Sequence, residues 1–190
     1  MLIFAVIFVY KKYKKIDKSK YVILDNTTLF DNNYTKLINR ALLPATTTNM
    51  TIVWKMKIMN ISENYLWADN FRNPKTIIKN NTAPDILYEP RDNILVIRTQ
   101  YYDTEKIKTH EIKIPNIPIQ IWTSYAIVIN GRDLCVYINN NLYHCYTLPN
   151  VFLSPIGDMK VGEQLNNFLG YIDDMAYYNR CLSMNEISRL

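Results

Sequence analysis

Few residues in this chain have the types and spacing that chemistry needs. Asp103-Thr104-Glu105 comes nearest to an acid/base pair, because two carboxyls about 5 Å apart can serve as nucleophile and proton donor. It follows Tyr101-Tyr102 and precedes Lys106 where a hairpin turn is expected, so these acids read as turn residues. Asp173-Asp174 is a second pair, but adjacent strand residues point to opposite faces and do not easily ligate one ion together. No Ser, Cys and His fall in a nucleophile-base pattern, and no Gly-rich phosphate loop occurs. His110 and His144 are isolated, and Cys135, Cys145 and Cys181 show neither a CxxC spacing nor a disulfide framework. The expectation is therefore no catalytic residue.

What remains is binding. Trp67 lies in Asn64-Tyr65-Leu66-Trp67-Ala68-Asp69-Asn70, a loop-like stretch. An aromatic face beside Asp69 and Asn70 is how sugar sites are often built, with stacking on the ring and hydrogen bonds to hydroxyls. A buried loop anchor is the other use of such a Trp. Tyr101 and Tyr102 form a second candidate of this kind. Trp54 and Trp122 are expected to be packing residues of the core.

The chain has 190 residues, enough for one domain with a sizeable core. At 48% hydrophobic and 21% charged it is globular, and its aromatic and β-branched richness favours strands. The net charge is +5, yet Lys11, Lys12, Lys14, Lys15, Lys18 and Lys20 less Asp17 already account for it, and the remaining acids and bases balance. No folded basic patch is left, so nucleic acid is not an expected partner.

The lysines follow an apolar run, Met1 to Tyr10. That run is about half the ~20 residues of a spanning helix. It reads either as the remnant of a membrane anchor or as an unusually apolar first strand, and the lysine cluster favours the anchor. The expected division is a membrane-anchor remnant with a Lys-rich juxtamembrane linker over 1–20 and one domain over 21–190. The localisation that follows is single-pass and membrane-anchored, with the side open. Lysines behind the span and unpatterned cysteines favour a reducing, cytoplasmic side. Five Asn-x-Ser/Thr triplets carry little weight in so Asn-rich a chain.

Along the chain the pattern has period two. Thr51 to Met59 alternates with Ile52, Trp54, Met56 and Ile58 on one face, which is a half-buried strand. Shorter runs follow at 76–78, 85–88, 93–98 and 106–114, with Pro84 and Pro90 as breaks. Asn130-Gly131 reads as a type I′ hairpin turn between strands ending at Ile129 and starting at Leu134. Asn139-Asn140 makes the next tight turn. A two-residue turn there sends Cys135 and Cys145 to opposite faces, and a three-residue loop sets them opposite each other. The first is favoured, hence no disulfide. The last strand is Gly170 to Tyr178, and Ser183 with Glu186 forms a capping box that opens a short helix. Many short strands at near-regular spacing imply a β-sandwich or barrel.

Trp122 to Gly131, Leu134 to Asn139, Val161-Gly162, and Gly170-Tyr-Ile-Asp-Asp-Met-Ala-Tyr-Tyr178 through Ser183, Glu186 and Ile187 together resemble the laminin G-like branch of the concanavalin A-like lectin/glucanase superfamily. Pentraxins end similarly. The resemblance is strong over Trp122–Leu190 and looser from Tyr21. It implies an all-β fold, a two-sheet antiparallel jelly-roll sandwich with a short C-terminal helix and with first and last strands adjacent. One departure is Asn140, where the family usually has Gly. The superfamily's glucanases carry a Glu-x-Asp-x-(x)-Glu triplet that is absent here, so the resemblance points to no enzyme. Some relatives bind calcium through rim carboxylates, which makes Asp173 the candidate metal residue; the favoured reading is that Asp173 hydrogen-bonds backbone groups at the strand edge. The expected role is a non-catalytic, membrane-tethered binding or scaffold domain for a glycan or protein ligand. The alternatives are a structural virion protein of a large DNA virus and a divergent glycosidase.

Overall fold

The computed structural model describes residues 17–45, 48–59, 73–80, 84–164 and 168–190. The alternating runs form thirteen strands: β1 (Lys20–Leu24), β2 (Thr28–Phe30), β3 (Lys36–Ile38), β4 (Asn49–Ile58), β5 (Lys75–Asn80), β6 (Asp85–Glu89), β7 (Ile94–Asp103), β8 (Lys106–Pro115), β9 (Thr123–Asn130), β10 (Asp133–Ile138), β11 (Asn141–Thr147), β12 (Met159–Val161) and β13 (Gly170–Tyr178). The one α-helix among the described residues is α1 (Met184–Ile187).

The strands make two antiparallel sheets. The large sheet runs β1-β13-β4-β9-β10-β11, with β2 also paired to β13, and the small sheet runs β3-β12-β5-β6-β7-β8. The chain is thus an all-β, two-sheet antiparallel jelly-roll sandwich with a short C-terminal helix, its first and last strands side by side. Between the sheets lies the core. Trp54 stacks on Tyr125 at 5.2 Å, and Phe30, Tyr88 and Phe168 form a second aromatic knot. Trp54 is 1% exposed, as the alternation of β4 requires. Gly170 is needed where β13 crosses β4, because a Cβ there would stand 2.4 Å from the Lys57 carbonyl oxygen.

A second, smaller cluster covers half of the outer face of the large sheet. Val53, Ala126, Val128, Ala176 and Tyr178 pack beneath Leu182 and Ile187 of the C-terminal segment. Glu186 Oε2 accepts from the Ser183 backbone N–H at 2.9 Å while Ser183 Oγ accepts from the Glu186 N–H, closing the capping box. Arg180 ties this segment to Glu186 at 2.7 Å and to Asp17 at 3.3 Å. The Glu186 carboxyl is held down to about 2, first by the Arg180 guanidinium and then by its bonds to Ser183.

Four expectations are corrected. Cys135 and Cys145 form a disulfide. The turn between β10 and β11 does have two residues, Asn139 and Asn140, both at positive φ. Register then shifts between Val136 and Tyr137, where Tyr143 is an extra residue on β11, and this bulge brings Cys135 opposite Cys145. Second, the β9–β10 turn is Gly131-Arg132, because Asn130 pairs with Asp133 as the last residue of β9. Only Gly131 needs positive φ, and its N–H is held by the Thr48 carbonyl and by Asn49 Oδ1. Third, Trp122 is not core. Thr123 takes the inward position at 1% exposed, and Trp122, one residue earlier, faces outward at 43% exposed. Fourth, no helix among the described residues is long and apolar enough to cross a membrane, so a single-pass, membrane-anchored localisation is withdrawn. Residues 1–16, on which it rested, lie outside the described residues.

Candidate functional site

Among the described residues, the C-terminal segment leaves the rest of the large sheet's outer face uncovered. Strand register sets two rows of side chains there. In the first, Leu29, Tyr171 and Lys57 are neighbours across β2, β13 and β4. Trp122 extends the row, since Thr123 stands opposite Met56 and Trp122 immediately precedes it. The rings of Trp122 and Tyr171 lie 6.4 Å apart, tilted by 44°. In the second row, Asp173, Lys55 and Ser124 are in register across β13, β4 and β9.

The polar groups of the second row are held from several sides. Thr27 Oγ1 donates to Asp173 Oδ2 at 2.5 Å, and the Asp174 N–H donates to Asp173 Oδ1 at 2.8 Å. Lys55 Nζ pairs with Asp174 Oδ2 at 2.6 Å. Asn139 Oδ1 accepts from the Ser124 N–H at 3.1 Å. Asp173 and Asp174 were expected on opposite faces. Instead β13 bulges here, its register shifting between Asp173 and Ala176 with Asp174 at φ 49°. The bulge keeps both carboxylates on the Lys55 side. Beyond this row a shallow depression is lined by Lys55, Ser124, Tyr137, Asn140, Asp174 and, from the C-terminal segment, Ile187 and Leu190. Ile119, Ile121 and Leu169 are exposed near the aromatic row.

Asp173, the candidate metal residue, is engaged within the protein. Both of its oxygens already accept hydrogen bonds. Among the described residues, no three His, Cys, Asp or Glu side chains come together as a metal site.

Of the other sequence candidates, Tyr101 and Tyr102 are among the described residues. Trp67, Asp69 and Asn70 are outside the described residues. Tyr101 is buried and bridges to Phe152, so it presents no face to a ligand. Tyr102 is 54% exposed, across from Ile107 on the outer surface of the small sheet, and does not meet Trp122. Asp103 ends β7 and pairs with Lys108, while Thr104 and Glu105 make the hairpin turn. Of the structural motif residues, Gly170 and Asp173 precede the bulge, Asn139 braces Ser124, Tyr178 packs beneath the C-terminal segment, and Ser183 and Glu186 close the capping box of α1. Sequence reading missed Tyr171, Lys55, Lys57, Ser124 and Asn140 as site residues. The outward phase of β4 and β13 is legible in the alternation, but their adjacency is not.

The fold resembles toxin binding domains. The binding domain of botulinum neurotoxin serotype G superposes with a TM-score of 0.62 at 16% identity, over 90% of this chain and 45% of that one. The receptor-binding domain of botulinum neurotoxin mosaic serotype C/D gives a TM-score of 0.66 at 14% identity, over 90% and 44%. The binding domain of Paraclostridial Mosquitocidal Protein 1 gives 0.63 at 17%, over 90% and 45%. The chain therefore spans about half the length of these structures. No protein-family model and no curated protein matches it.

Proposed function

We propose that residues 21–190 form a non-catalytic recognition domain of the concanavalin A-like, laminin G-like kind, which holds a carbohydrate on the open half of the large sheet's outer face. The observation that carries this reading is the outward pair Trp122 and Tyr171, 6.4 Å apart, next to the hydrogen-bonding row Asp173, Lys55 and Ser124. Leaving a Trp 43% exposed on a regular sheet gives up apolar burial. A pyranose ring restores that burial by stacking while its hydroxyls meet the polar row. Support for a binding role also comes from the three similar structures, each named as a binding domain. Absence of catalysis is supported by the engagement of both acids of the face, Asp173 by Thr27 and Asp174 by Lys55.

A glycan array probed with the full chain tests this, followed by titration calorimetry on the best hit. Binding is expected to fall about fivefold or more in Trp122→Ala, taking ~1–3 kcal/mol, the scale of base–aromatic stacking, for a ring stacked on an aromatic face. An array with no saturable hit, or a hit whose affinity survives Trp122→Ala and Tyr171→Ala, refutes it.

A further inference from the structure

We infer that Asn26 and Asn33 are acceptors for N-linked glycans, attached in a secretory lumen, and that Asn49 is not. The chain holds five Asn-x-Ser/Thr triplets, which by themselves select nothing. Two observations do. The first is the Cys135–Cys145 disulfide, since such bonds persist in oxidising compartments, where a chain bearing these triplets also meets the glycosyl transferase. Cys145 is exposed, so burial does not protect the bridge from cytosolic thiols. The second is where the folded chain puts the triplets. Asn26 lies exposed in the turn between β1 and β2, its Nδ2 donating to the neighbouring Asp25 Oδ1 at 3.1 Å. Asn33 tops the turn between β2 and β3, where the Tyr34 N–H donates to the Asp31 carbonyl at 3.1 Å and the Asn33 N–H to Asp31 Oδ1 at 2.9 Å. Asn33 and Thr35 are both exposed.

Asn49 differs. It opens β4 half-buried, and its Oδ1 accepts from the Gly131 N–H at 3.2 Å. That amide sits against the β9–β10 turn, where a sugar on its nitrogen would crowd the strand pairing. The Thr51 hydroxyl of the same triplet is fully buried, donating to the Arg180 carbonyl at 2.8 Å and accepting from the Leu182 N–H at 3.0 Å. The triplets that begin at Asn60 and Asn80 extend outside the described residues. In the transfer, the Asn amide nitrogen bonds the anomeric carbon of a lipid-diphosphate-linked oligosaccharide and loses one proton to a base of the transferase. The bond from that carbon to the diphosphate oxygen breaks, and the diphosphate leaves with the electron pair. Both acceptors immediately precede marginal strands, β2 on the far side of β13 and β3 at the end of the small sheet. Sugars there would shield backbone edges that otherwise invite another chain.

The experiment translates the full chain with secretory microsomes behind a cleavable signal peptide. The lumenal, protease-protected product is mapped by mass spectrometry after enzymatic glycan removal in heavy-oxygen water. Asn26 and Asn33 should each appear as Asp carrying the heavy oxygen, and Asn49 as unaltered Asn. Cys135 and Cys145 should appear as one bridged peptide pair. Asn26→Gln and Asn33→Gln should each remove one step of retarded migration on a gel, and Thr35→Ala should remove the same step as Asn33→Gln while Thr35→Ser keeps it. The inference is overturned by Asn26 or Asn33 left unmodified in the lumenal chain, by a glycan on Asn49 in the bridged product, by free thiols at Cys135 and Cys145 there, or by a chain that stays outside the lumen despite its signal. None of these outcomes touches the carbohydrate reading of the sheet face.

Discussion

Removing the Cys135–Cys145 bridge tests how the edge of the large sheet is built. The disulfide joins β10 to the edge strand β11 and closes a short loop, at a sequence separation of 10. For a loop of that length the chain-entropy model gives about 2.7 kcal/mol of stabilisation at room temperature. For a chain of this size that corresponds to a melting temperature lower by about 5–10 °C. The perturbation is the double variant Cys135→Ala/Cys145→Ala, read by circular dichroism melts beside the unaltered, oxidised protein. A thiol count in denaturant accompanies it: Cys181 alone should react before reduction, and all three cysteines after. Deleting Tyr143 should remove the bulge yet keep Cys135 opposite Cys145, because Leu142 is then followed directly by His144 in regular register, so one reactive thiol without reductant is expected. Three thiols in the unaltered oxidised protein, or a double variant that melts within about 2 °C of it, would refute this account of the edge.

Trp54→Ala should cost about 3–5 kcal/mol in urea unfolding, because it empties a buried site, whereas Trp122→Ala should stay within about 0.5 kcal/mol. A comparable loss from both would mean that Trp122 packs as core. The phenols of Tyr88 and Tyr177 are pushed up to about 12, and that of Tyr125 higher, all first by burial. Their stabilising effect is therefore full below pH 10 and lost as pH rises through 12; phenolate absorbance should show these three ionising only as the fold melts, and smooth ionisation of all fifteen tyrosines near pH 10 in folded protein would contradict this. The Glu186 carboxyl is depressed, so its contribution is present above its ordinary value of 4.5 and fades as pH falls toward 2. Hydrogen exchange of the α1 amides should accelerate over that window, and an acid-insensitive α1 would exclude the Arg180–Glu186 pair as its tether.

The alternation of β4 was legible because a single strand fixes its own phase, and Asn139-Asn140 because two Asn tolerate positive φ together. The capping box was legible for the same local reason. The disulfide was not, since one extra residue at Tyr143 reverses which side chains meet while leaving the apolar pattern undisturbed. Trp122 was misplaced because it sits just before β9, where one residue of phase decides between core and surface. Asp173 and Asp174 were separated by the ideal pleat, and the bulge at Asp174 overrides it. The face itself depends on β13, β4 and β9 lying side by side. Those strands are far apart in sequence, and no local pattern orders them.

That strand order also governs how the molecule can be made. β5 to β8 form a run of successive neighbours in the small sheet, and β9 to β11 do so in the large one. Both runs can assemble as they leave the ribosome. β13 comes last in chain order among the strands of the large sheet, yet it separates β4 from β1 and β2. Until it arrives, one side of β4 stays open to any other extended chain. Completion of the large sheet therefore waits for the strand that comes last in its chain order, gated by long-range closure, and the sheet is most exposed to mispairing until β13 docks.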